Sequence, residues 1–301
     1  MEIVVFGAGS LGSLVGGLLA RERAHDVTLV ARRDHADAVR ESGLRVEGEL
    51  EARVDPTATT DGRELAADVA IVTVKTADTA AAAEALATGS FDAVLSLQNG
   101  MGNEETLAGA LDAPVLAGTA SYGAIRREPG VVECTGLGEV VVGARGGGSS
   151  HLADRVGRTF AAAGLETAVA DDMPRRLWEK LAVNAGINPI TALADVDNGA
   201  VLERAAIEVA RVTARETARV ARACGVDLSD RDAVAAMEAV ATDTAANASS
   251  MRQDVRAERR TEIDAINGYV VDRADERGLE VPANRTLTAL VRSWERARGL
   301  R

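Results

Sequence analysis

The N-terminal segment holds the feature that most constrains the fold. Glu2–Phe6 is a short, apolar, β-branched run, and a helical pattern begins at Leu14. Strand, GxGxxG turn and helix in this order form the dinucleotide-binding fingerprint, in which glycines permit the tight turn, the approach of the pyrophosphate and close helix packing. The turn comprises Gly7, Ala8, Gly9, Ser10, Leu11 and Gly12. A Rossmann-type domain is therefore predicted at the start of the chain.

The second predicted strand, Asp26–Val30, bears on the choice of cofactor because Arg32 and Arg33 follow it. An acidic residue after this strand favours NAD by accepting a hydrogen bond from the ribose 2′-hydroxyl, whereas an arginine suits the 2′-phosphate of NADP. The two arginines therefore favour NADPH/NADP+. Asp34 lies just beyond them and could reach a ribose, so the use of NADH stays open.

Two further strands each lead to a polar residue. Val69–Val74 is a near-continuous apolar run, as expected of a strand covered on both faces, and Lys75 follows it. Ala93–Leu97 leads to Asn99. Because open α/β sheets bind ligands at the carboxyl ends of their strands, Lys75 and Asn99 are predicted to share one rim. Taken alone, the Asn-Gly pair is also a common turn signal.

The remaining pattern divides the chain into two parts. Strand-like segments continue as far as Thr167–Val169, and the pattern is helical throughout from Met173 onward. We predict an α/β N-terminal Rossmann-type dinucleotide-binding domain at residues 1–170 and an all-α C-terminal domain for substrate binding and catalysis at residues 171–301.

The helical half contains an apolar run interrupted by a cation and two amides. Lys180, Asn184 and Asn188 are spaced four residues apart, so on a helix they form one polar stripe. Aliphatic neighbours place the stripe against a core, where an ammonium group needs partners or a lowered pKa, and such a lysine can donate a proton near neutral pH. Pro189 is expected to end the stripe in a kink or break. The alternative is a lysine that extends to the surface and asparagines that cap the helix.

A second polar cluster follows at residues 247–268. Hydroxyls, carboxylates and arginines alternate there with little helical period before Ile263, which favours a binding loop over a packing element. Alternatively, Thr261 is the N-cap of the next helix, with Glu262 and Asp264 in its first turn. Upstream, Ser229 predicts a capped helix that runs to about residue 247.

Charge and composition argue against several classes of function. The net charge of −12 disfavours binding to nucleic acid or to an anionic membrane. Cysteines and histidines show no ligand spacing, so no metal site is predicted. With no leader and no apolar run of membrane length in view, a cytoplasmic location is expected. Lys75 and Lys180 are the only lysines among 34 basic residues, which indicates coding bias or salt adaptation and marks both for roles that guanidinium cannot fill.

The longer motifs resemble those of the ketopantoate reductase (2-dehydropantoate 2-reductase) family. They occur in the family's order over nearly the whole chain, and the two longest are far more specific than the nucleotide fingerprint. The matching segments are GAGSLG at 7–12, TVKT at 73–76, QNGMG at 98–102, WEKLAVNAGINPITAL at 178–193, Asn198-Gly199, and SSMRQDVRAERRTEIDAINGYV at 249–270.

The resemblance implies reduction of the C2 ketone of 2-dehydropantoate by NADPH, giving pantoate for pantothenate and coenzyme A biosynthesis. Lys180 matches the proton donor. The positions implied in substrate binding are Lys180, Asn99, Asn184, Asn188, Asn198 and Ser250. The positions implied in cofactor binding are Gly7, Ala8, Gly9, Ser10, Leu11, Gly12, Lys75, Asn99, Ala124 and Glu262, with Arg32 at the 2′-phosphate.

Two rival functions are weighed against this one. A relative in the same superfamily would reduce another branched 2-oxo acid or an imine, and a substrate panel would separate it. A non-catalytic NADP-binding sensor predicts loss of the proton donor, yet Lys180 is present. For assembly, a homodimer through the helical domain is favoured only by the general frequency of two-fold oligomers.

Overall fold

The computed structural model describes residues 1–301, which form two compact units. Unit 1 comprises Met1–Gln98 and Asn103–Met173. Unit 2 comprises Pro174–Arg301 together with the short segment Asn99–Gly102. Four residues from the middle of the α/β half therefore belong to the helical unit.

Unit 1 contains strands and helices that alternate through most of its length. Its strands are β1 (Glu2–Phe6), β2 (Asp26–Val30), β3 (Leu44–Gly48), β4 (Ala52–Val54), β5 (Thr57–Thr59), β6 (Ala66–Val72), β7 (Ser90–Ser96), β8 (Val115–Ala120), β9 (Gly123–Glu128), β10 (Val131–Gly136), β11 (Val140–Ala144) and β12 (Thr167–Ala170). Its helices are α1 (Ser10–Arg21), α2 (Arg33–Ser42), α3 (Thr79–Leu86), α4 (Asn103–Ala110) and α5 (His151–Ala162).

The main sheet of unit 1 has eight strands in the order β12-β11-β8-β7-β6-β1-β2-β5. Neighbouring strands are parallel except β8 and β11, which are antiparallel. The two strands of this sheet that follow β1 in sequence, β2 and β5, lie on one side of β1, and the next one, β6, lies on its other side. The strand order therefore reverses between β1 and β6. Such a switch point is where doubly wound sheets bind ligands. The predicted Rossmann-type α/β fold is confirmed.

A smaller sheet, in the order β4-β3-β10-β9, packs on α1. Strand β9 is missing from the sequence prediction, as are β5 and α4. The residues Arg126, Arg127 and Glu128 give β9 no apolar alternation, and its strand character comes from antiparallel pairing with β10. Strand β6 ends at Val72 rather than at the predicted Val74.

Unit 2 is helical outside its turns, which confirms the all-α prediction. Its α-helices are α6 (Met173–Ala194), α7 (Arg204–Ala223), α8 (Asp230–Asp243), α9 (Ser250–Arg256), α10 (Tyr269–Asp275) and α11 (Pro282–Ala297); the first residue of α6 clusters with unit 1. A 3₁₀ helix spans Asn198–Leu202, and a π-helical turn spans Asp264–Gly268. No helix of the chain combines the length and the apolar character that a membrane span needs.

Two expectations for the second polar cluster are wrong. Residues 250–256 form α9 rather than a loop, because Ser249 Oγ accepts a hydrogen bond from the backbone N–H of Arg252 and caps the helix. Thr261 is not the helix N-cap, because the next helical turn begins at Asp264 with Ile263 in the N-cap position. The Thr261 N–H and hydroxyl donate to the buried carboxylate of Glu295, and its Oγ1 also accepts from the N–H of Ile263 at 3.3 Å. The predicted cap at Ser229 is confirmed, although α8 ends at Asp243.

Candidate active site

The glycine turn of unit 1 has the backbone shape that a dinucleotide requires. Gly7 has φ +105°, and a Cβ built there would lie 2.7 Å from the backbone nitrogen of Val74. A Cβ on Gly12 would lie 2.5 Å from the carbonyl oxygen of Gly7. Gly9 is exposed, and the nearest atom to a Cβ there is 3.9 Å away. Two glycines thus close the turn, while the third leaves the open approach that a pyrophosphate needs.

The loop that carries Lys75 is fastened at the switch point of the sheet. Thr73 Oγ1 donates to the carbonyl of Gly7 at 2.8 Å. The buried amide of Gln98 donates from Nε2 to the carbonyl of Val74 at 3.1 Å and to Thr79 Oγ1 at 2.7 Å. Lys75 itself is exposed at the start of a short 3₁₀ turn. The ends of β1, β6 and β7 are therefore joined by side-chain bonds.

The end of β2 is supported by a histidine that sequence reasoning misses. His35 is fully buried in α2, and its Nδ1 accepts a hydrogen bond from the N–H of Gly130 at 3.0 Å. Its Nε2 lies 2.9 Å from Ser13 Oγ. Burial, reinforced by the positive charge of Arg126, lowers the pKa of His35 to about 4, so the ring is neutral and donates from Nε2 to Ser13. Arg32, just before α2, is exposed.

The polar stripe of unit 2 lies on one unbroken helix. Lys180 and Asn184 are half-buried on α6, and Asn188 is only 6% exposed. Of the kink or break expected at Pro189, the break is wrong, because α6 continues to Ala194. The asparagines therefore stand inside the helix and do not cap its end.

A buried network explains why Pro189 does not interrupt α6. Proline has no N–H for the carbonyl of Ala185, four residues earlier. Asn267, in the π-helical turn, donates from Nδ2 to that carbonyl at 3.1 Å and to Asn284 Oδ1 at 3.0 Å. Asn284 donates in turn to the carboxylate of Glu216 at 2.9 Å. The bond that proline removes from the helix is replaced by a side chain from a distant element.

Asn198 joins the 3₁₀ helix to the end of α8, and Ser250 follows a residue that joins α6 to the start of α9. Asn198 donates from its backbone N–H to the carbonyl of Asn247 at 3.0 Å and from Nδ2 to Thr244 Oγ1 at 2.9 Å. Its Oδ1 is buried without a hydrogen-bond partner. Ser249, adjacent to Ser250, has its Oγ 2.7 Å from Thr191 Oγ1 of α6.

Arg252, in α9, adds further hydrogen bonds to the segment that follows α6. Its side chain is 7% exposed and donates to Asp195 Oδ1 at 2.8 Å, to the Asp195 carbonyl at 3.0 Å and to Asp197. Hydrogen bonds from Arg256 and Arg252 lower the pKa of Asp195 to about 2. The motif 249–270 contains Arg252, but its role depends on carboxylates that are more than 50 residues away, so the sequence alone gives no signal for it.

The remaining predicted positions are divided between the two units. Ala124 is half-buried on β9 of unit 1. Asn99 and Glu262 belong to unit 2, where Met101 N–H, two residues after Asn99, donates to the carbonyl of Ala265 at 3.0 Å. Asn99 therefore clusters with the helical unit, whereas Lys75 clusters with unit 1, and their common rim stays a prediction.

Two family models match this chain. One is described as ketopantoate reductase PanE/ApbA and matches residues 3–147, and the other is described as the C-terminal part of the same family and matches residues 172–295. The chain belongs to the ketopantoate reductase family. The resemblance inferred from the motifs is confirmed, and membership of this family with its fingerprint turn makes the chain an oxidoreductase that uses a nicotinamide dinucleotide.

Full-length relatives carry the same description. A 2-dehydropantoate 2-reductase of Halobacterium salinarum is 45% identical over 98% of this chain and 99% of its own. One from Archaeoglobus fulgidus is 40% identical, with 98% of each chain covered. A crystal structure of a PanE/ApbA family ketopantoate reductase from Ralstonia eutropha JMP134 superimposes with a TM-score of 0.91 at 35% identity, over 99% of this chain and 100% of that one.

Proposed function

We propose that this member of the ketopantoate reductase family is a cytoplasmic, NADPH-dependent 2-dehydropantoate 2-reductase that forms (R)-pantoate for pantothenate and coenzyme A biosynthesis. The observation that carries the proposal is the polar face of α6, where Lys180, Asn184 and Asn188 lie on one unbroken helix. The full-length relatives named 2-dehydropantoate 2-reductase support the choice of substrate.

The two units have separate roles in this proposal. Unit 1 binds NADP through the open glycine turn, Lys75 and Ala124, and Arg32 binds the 2′-phosphate as a cation that always carries its charge. Unit 2 binds the substrate and supplies the acid. Asn99 and Glu262 are cofactor contacts supplied by unit 2, and Asn99 also contacts the substrate.

The side chains of unit 2 have chemistry that matches a hydroxylated 2-oxo acid. The amides of Asn184 and Asn188 and the hydroxyl of Ser250 donate to the substrate carboxylate, and the partnerless Oδ1 of Asn198 accepts from its hydroxyl. These contacts fix the orientation of the ketone. They also provide a local environment suited to an anion in a chain whose net charge is −12.

Lys180 is the general acid of the reaction. When bound beside the glycine turn, the nicotinamide cofactor would supply the hydride required at the C2 carbon of the ketone. As negative charge develops on the ketone oxygen, the ammonium group of Lys180 donates a proton to it, which forms the C2 hydroxyl and leaves a neutral amine that takes up a proton from solvent. Asn184 and Asn188, one and two turns further along α6, hold the substrate beside this donor.

The first test is the initial rate of NADPH oxidation with 2-dehydropantoate, for the wild type and for Lys180→Ala and Lys180→Arg. We expect Lys180→Ala to lower kcat by about 100-fold or more, the scale of a lost general acid, while NADPH still binds. Lys180→Arg keeps the positive charge but cannot release a proton, so it is expected to be similarly slow. Glu179→Gln, at the adjacent position of α6, is the matched control and retains wild-type turnover.

Three outcomes contradict parts of the proposal. Near-normal turnover in Lys180→Ala would remove this residue from the mechanism. Wild-type turnover with other branched 2-oxo acids but not with 2-dehydropantoate would assign a different substrate. NADPH binding without turnover of any 2-oxo acid would favour a nucleotide sensor.

A further inference from the structure

Arg126 connects the two parts of unit 1 that form the nucleotide fingerprint. Its backbone N–H donates to Ser10 Oγ, in the glycine turn, at 3.0 Å. Its guanidinium Nη1 lies 3.6 Å from Asp34 Oδ2, in the first turn of α2. Arg126 belongs to β9, a strand remote in sequence from both segments. The residue therefore stands beside the turn that approaches the pyrophosphate and beside the segment that follows β2.

The hairpin that carries Arg126 is held firmly against α1 and α2. The turn between β9 and β10 contains Gly130, whose N–H donates to the buried ring of His35, and that ring bonds to Ser13 of α1. Because His35 is neutral, both of its ring nitrogens are used in these two bonds. The position of Arg126 is thus fixed from both sides, through its own backbone and through the following turn.

The side chain of Arg126 is oriented differently from that of its neighbour. The β9–β10 register shifts at this point, and Arg127 pairs with Glu133 of β10 whereas Arg126 faces Asp34 of α2. The Arg126 side chain is 29% exposed and that of Asp34 is 54% exposed. At 3.6 Å the pair is an electrostatic contact without a hydrogen bond, so the guanidinium keeps donors for a stronger acceptor.

The charges at this place favour an anion over a neutral ribose. Arg32 and Arg33 precede Asp34 in sequence, and Arg126 adds a third guanidinium beside the Asp34 carboxylate. A dianionic phosphate accepts bidentate hydrogen bonds from guanidinium groups more strongly than a carboxylate at 3.6 Å does. A phosphate at the end of β2 would therefore displace Asp34 from Arg126.

We propose that Arg126 is a specificity-determining residue that binds the adenosine 2′-phosphate together with Arg32, and that Asp34 limits the preference for NADPH by competing for the Arg126 guanidinium. This inference rests on the NADPH dependence put forward under Proposed function. It adds a residue that the fingerprint does not contain, and it gives the acidic residue after β2 a role that opposes the arginines.

The test compares dissociation constants for NADPH and NADH, measured by the fluorescence of the bound nucleotide. Arg126→Met is expected to weaken NADPH binding about 10-fold and to change NADH binding less than about 2-fold, because only NADPH carries the 2′-phosphate. Asp34→Asn is expected to strengthen NADPH binding about 3-fold, since it frees Arg126 from a partly exposed pair. Arg127→Met, the same change at the neighbouring residue, which pairs with Glu133 instead of Asp34, leaves both constants unaltered.

The possible outcomes distinguish a failure of the Arg126 inference from a failure of the proposed NADPH dependence. Equal weakening of NADPH and NADH binding in Arg126→Met would place the guanidinium at the shared pyrophosphate and overturn the inference. Unchanged dissociation constants for both nucleotides would overturn it as well. A wild type without preference for NADPH would overturn the proposed cofactor and this inference together. If Arg126→Met does not fold, the direction of the change in Asp34→Asn decides, and a weaker or equal affinity for NADPH rejects the competition.

Discussion

The glycine turn of unit 1 and the polar face of unit 2 are built by different means. The turn consists of neighbouring residues, and its form depends on backbone atoms and the absence of side chains at Gly7 and Gly12. The polar face depends on side chains from distant elements, among them Asn267, Arg252 and Ser249, which hold α6 and its surroundings in place. One region is defined by local geometry and the other by long-range hydrogen bonds.

This difference determines how each region responds to substitution. A backbone turn tolerates almost no added atoms where it is closed, and it tolerates them readily where it is open. A side-chain network loses free energy when one member is removed and its partners stay buried without bonds. Its members are therefore energetically coupled through their shared bonds.

The largest effect is expected at the closed end of the glycine turn. Gly7→Ala places a methyl group against the backbone of Val74 at a positive φ, and we expect a loss of about 3–4 kcal/mol in the free energy of unfolding. Gly9→Ala meets no atom closer than 3.9 Å and should keep its stability within about 0.5 kcal/mol while binding NADPH less tightly. Urea unfolding and nucleotide titration measure the two effects. Equal destabilisation by both changes would contradict the division between closed and open glycines.

A somewhat smaller effect concerns the one strongly perturbed carboxyl group in unit 1. Burial raises the pKa of Glu104, on α4, from 4.5 to about 7. Because the folded-state pKa is the higher one, its contribution to stability is fully present below pH 4.5, declines as the pH rises and is lost above about pH 7. The full contribution of this pKa shift to the free energy of unfolding is roughly 3 kcal/mol.

Glu104→Gln removes this titration, and Glu84→Gln, at an exposed position of α3, is the control. We expect the difference in unfolding free energy between wild type and Glu104→Gln to move in favour of the variant between pH 4.5 and 7 and then to level off. A difference that stays constant over this range would mean that Glu104 does not titrate in it. Such a result would leave the pH response of unit 1 to its other titrating groups, among them the buried ring of His35.

The smallest effect tests the coupling within unit 2. Asn267→Leu leaves the carbonyl of Ala185 and Oδ1 of Asn284 buried without this donor, and we expect a loss of about 2 kcal/mol. In a Pro189→Ala background the backbone N–H of residue 189 can bond to Ala185, so Asn267→Leu should cost about 1 kcal/mol less there. A double-mutant cycle in urea measures this. Strictly additive costs would show that Asn267 does not replace the helix bond that proline removes.

The sequence predicts unit 1 more completely than the polar surroundings of unit 2. The glycine turn, the strands of the main sheet other than β5 and the spacing of Lys180, Asn184 and Asn188 are local patterns with one structural meaning. The rule that proline ends a helix is local too, and it gives the wrong result for α6. Its exception depends on Asn267, which is 82 residues from Ala185 in sequence.

The errors around β9 and α9 have separate physical causes. Strand β9 exists because β10 supplies its hydrogen bonds, so its charged sequence predicts no strand and gives no reason to connect Arg126 with Ser10. Helix α9 does carry a local signal, the cap at Ser249, but the scarcity of apolar residues after it hides the helix. Arg252 supports α9 through carboxylates at the end of α6.

The segment Asn99–Gly102 affects how the protein can be divided genetically. Because these residues cluster with unit 2, the chain passes from one unit to the other three times rather than once. A fragment that starts at Pro174 would lack the Met101 N–H that bonds to the carbonyl of Ala265, and a Cβ-free Gly100 that fits against the same residue. Domain exchange between relatives at a single crossover would therefore mix two versions of the helical unit, whereas a chimera that carries residues 99–102 along with 174–301 would keep its parental contacts.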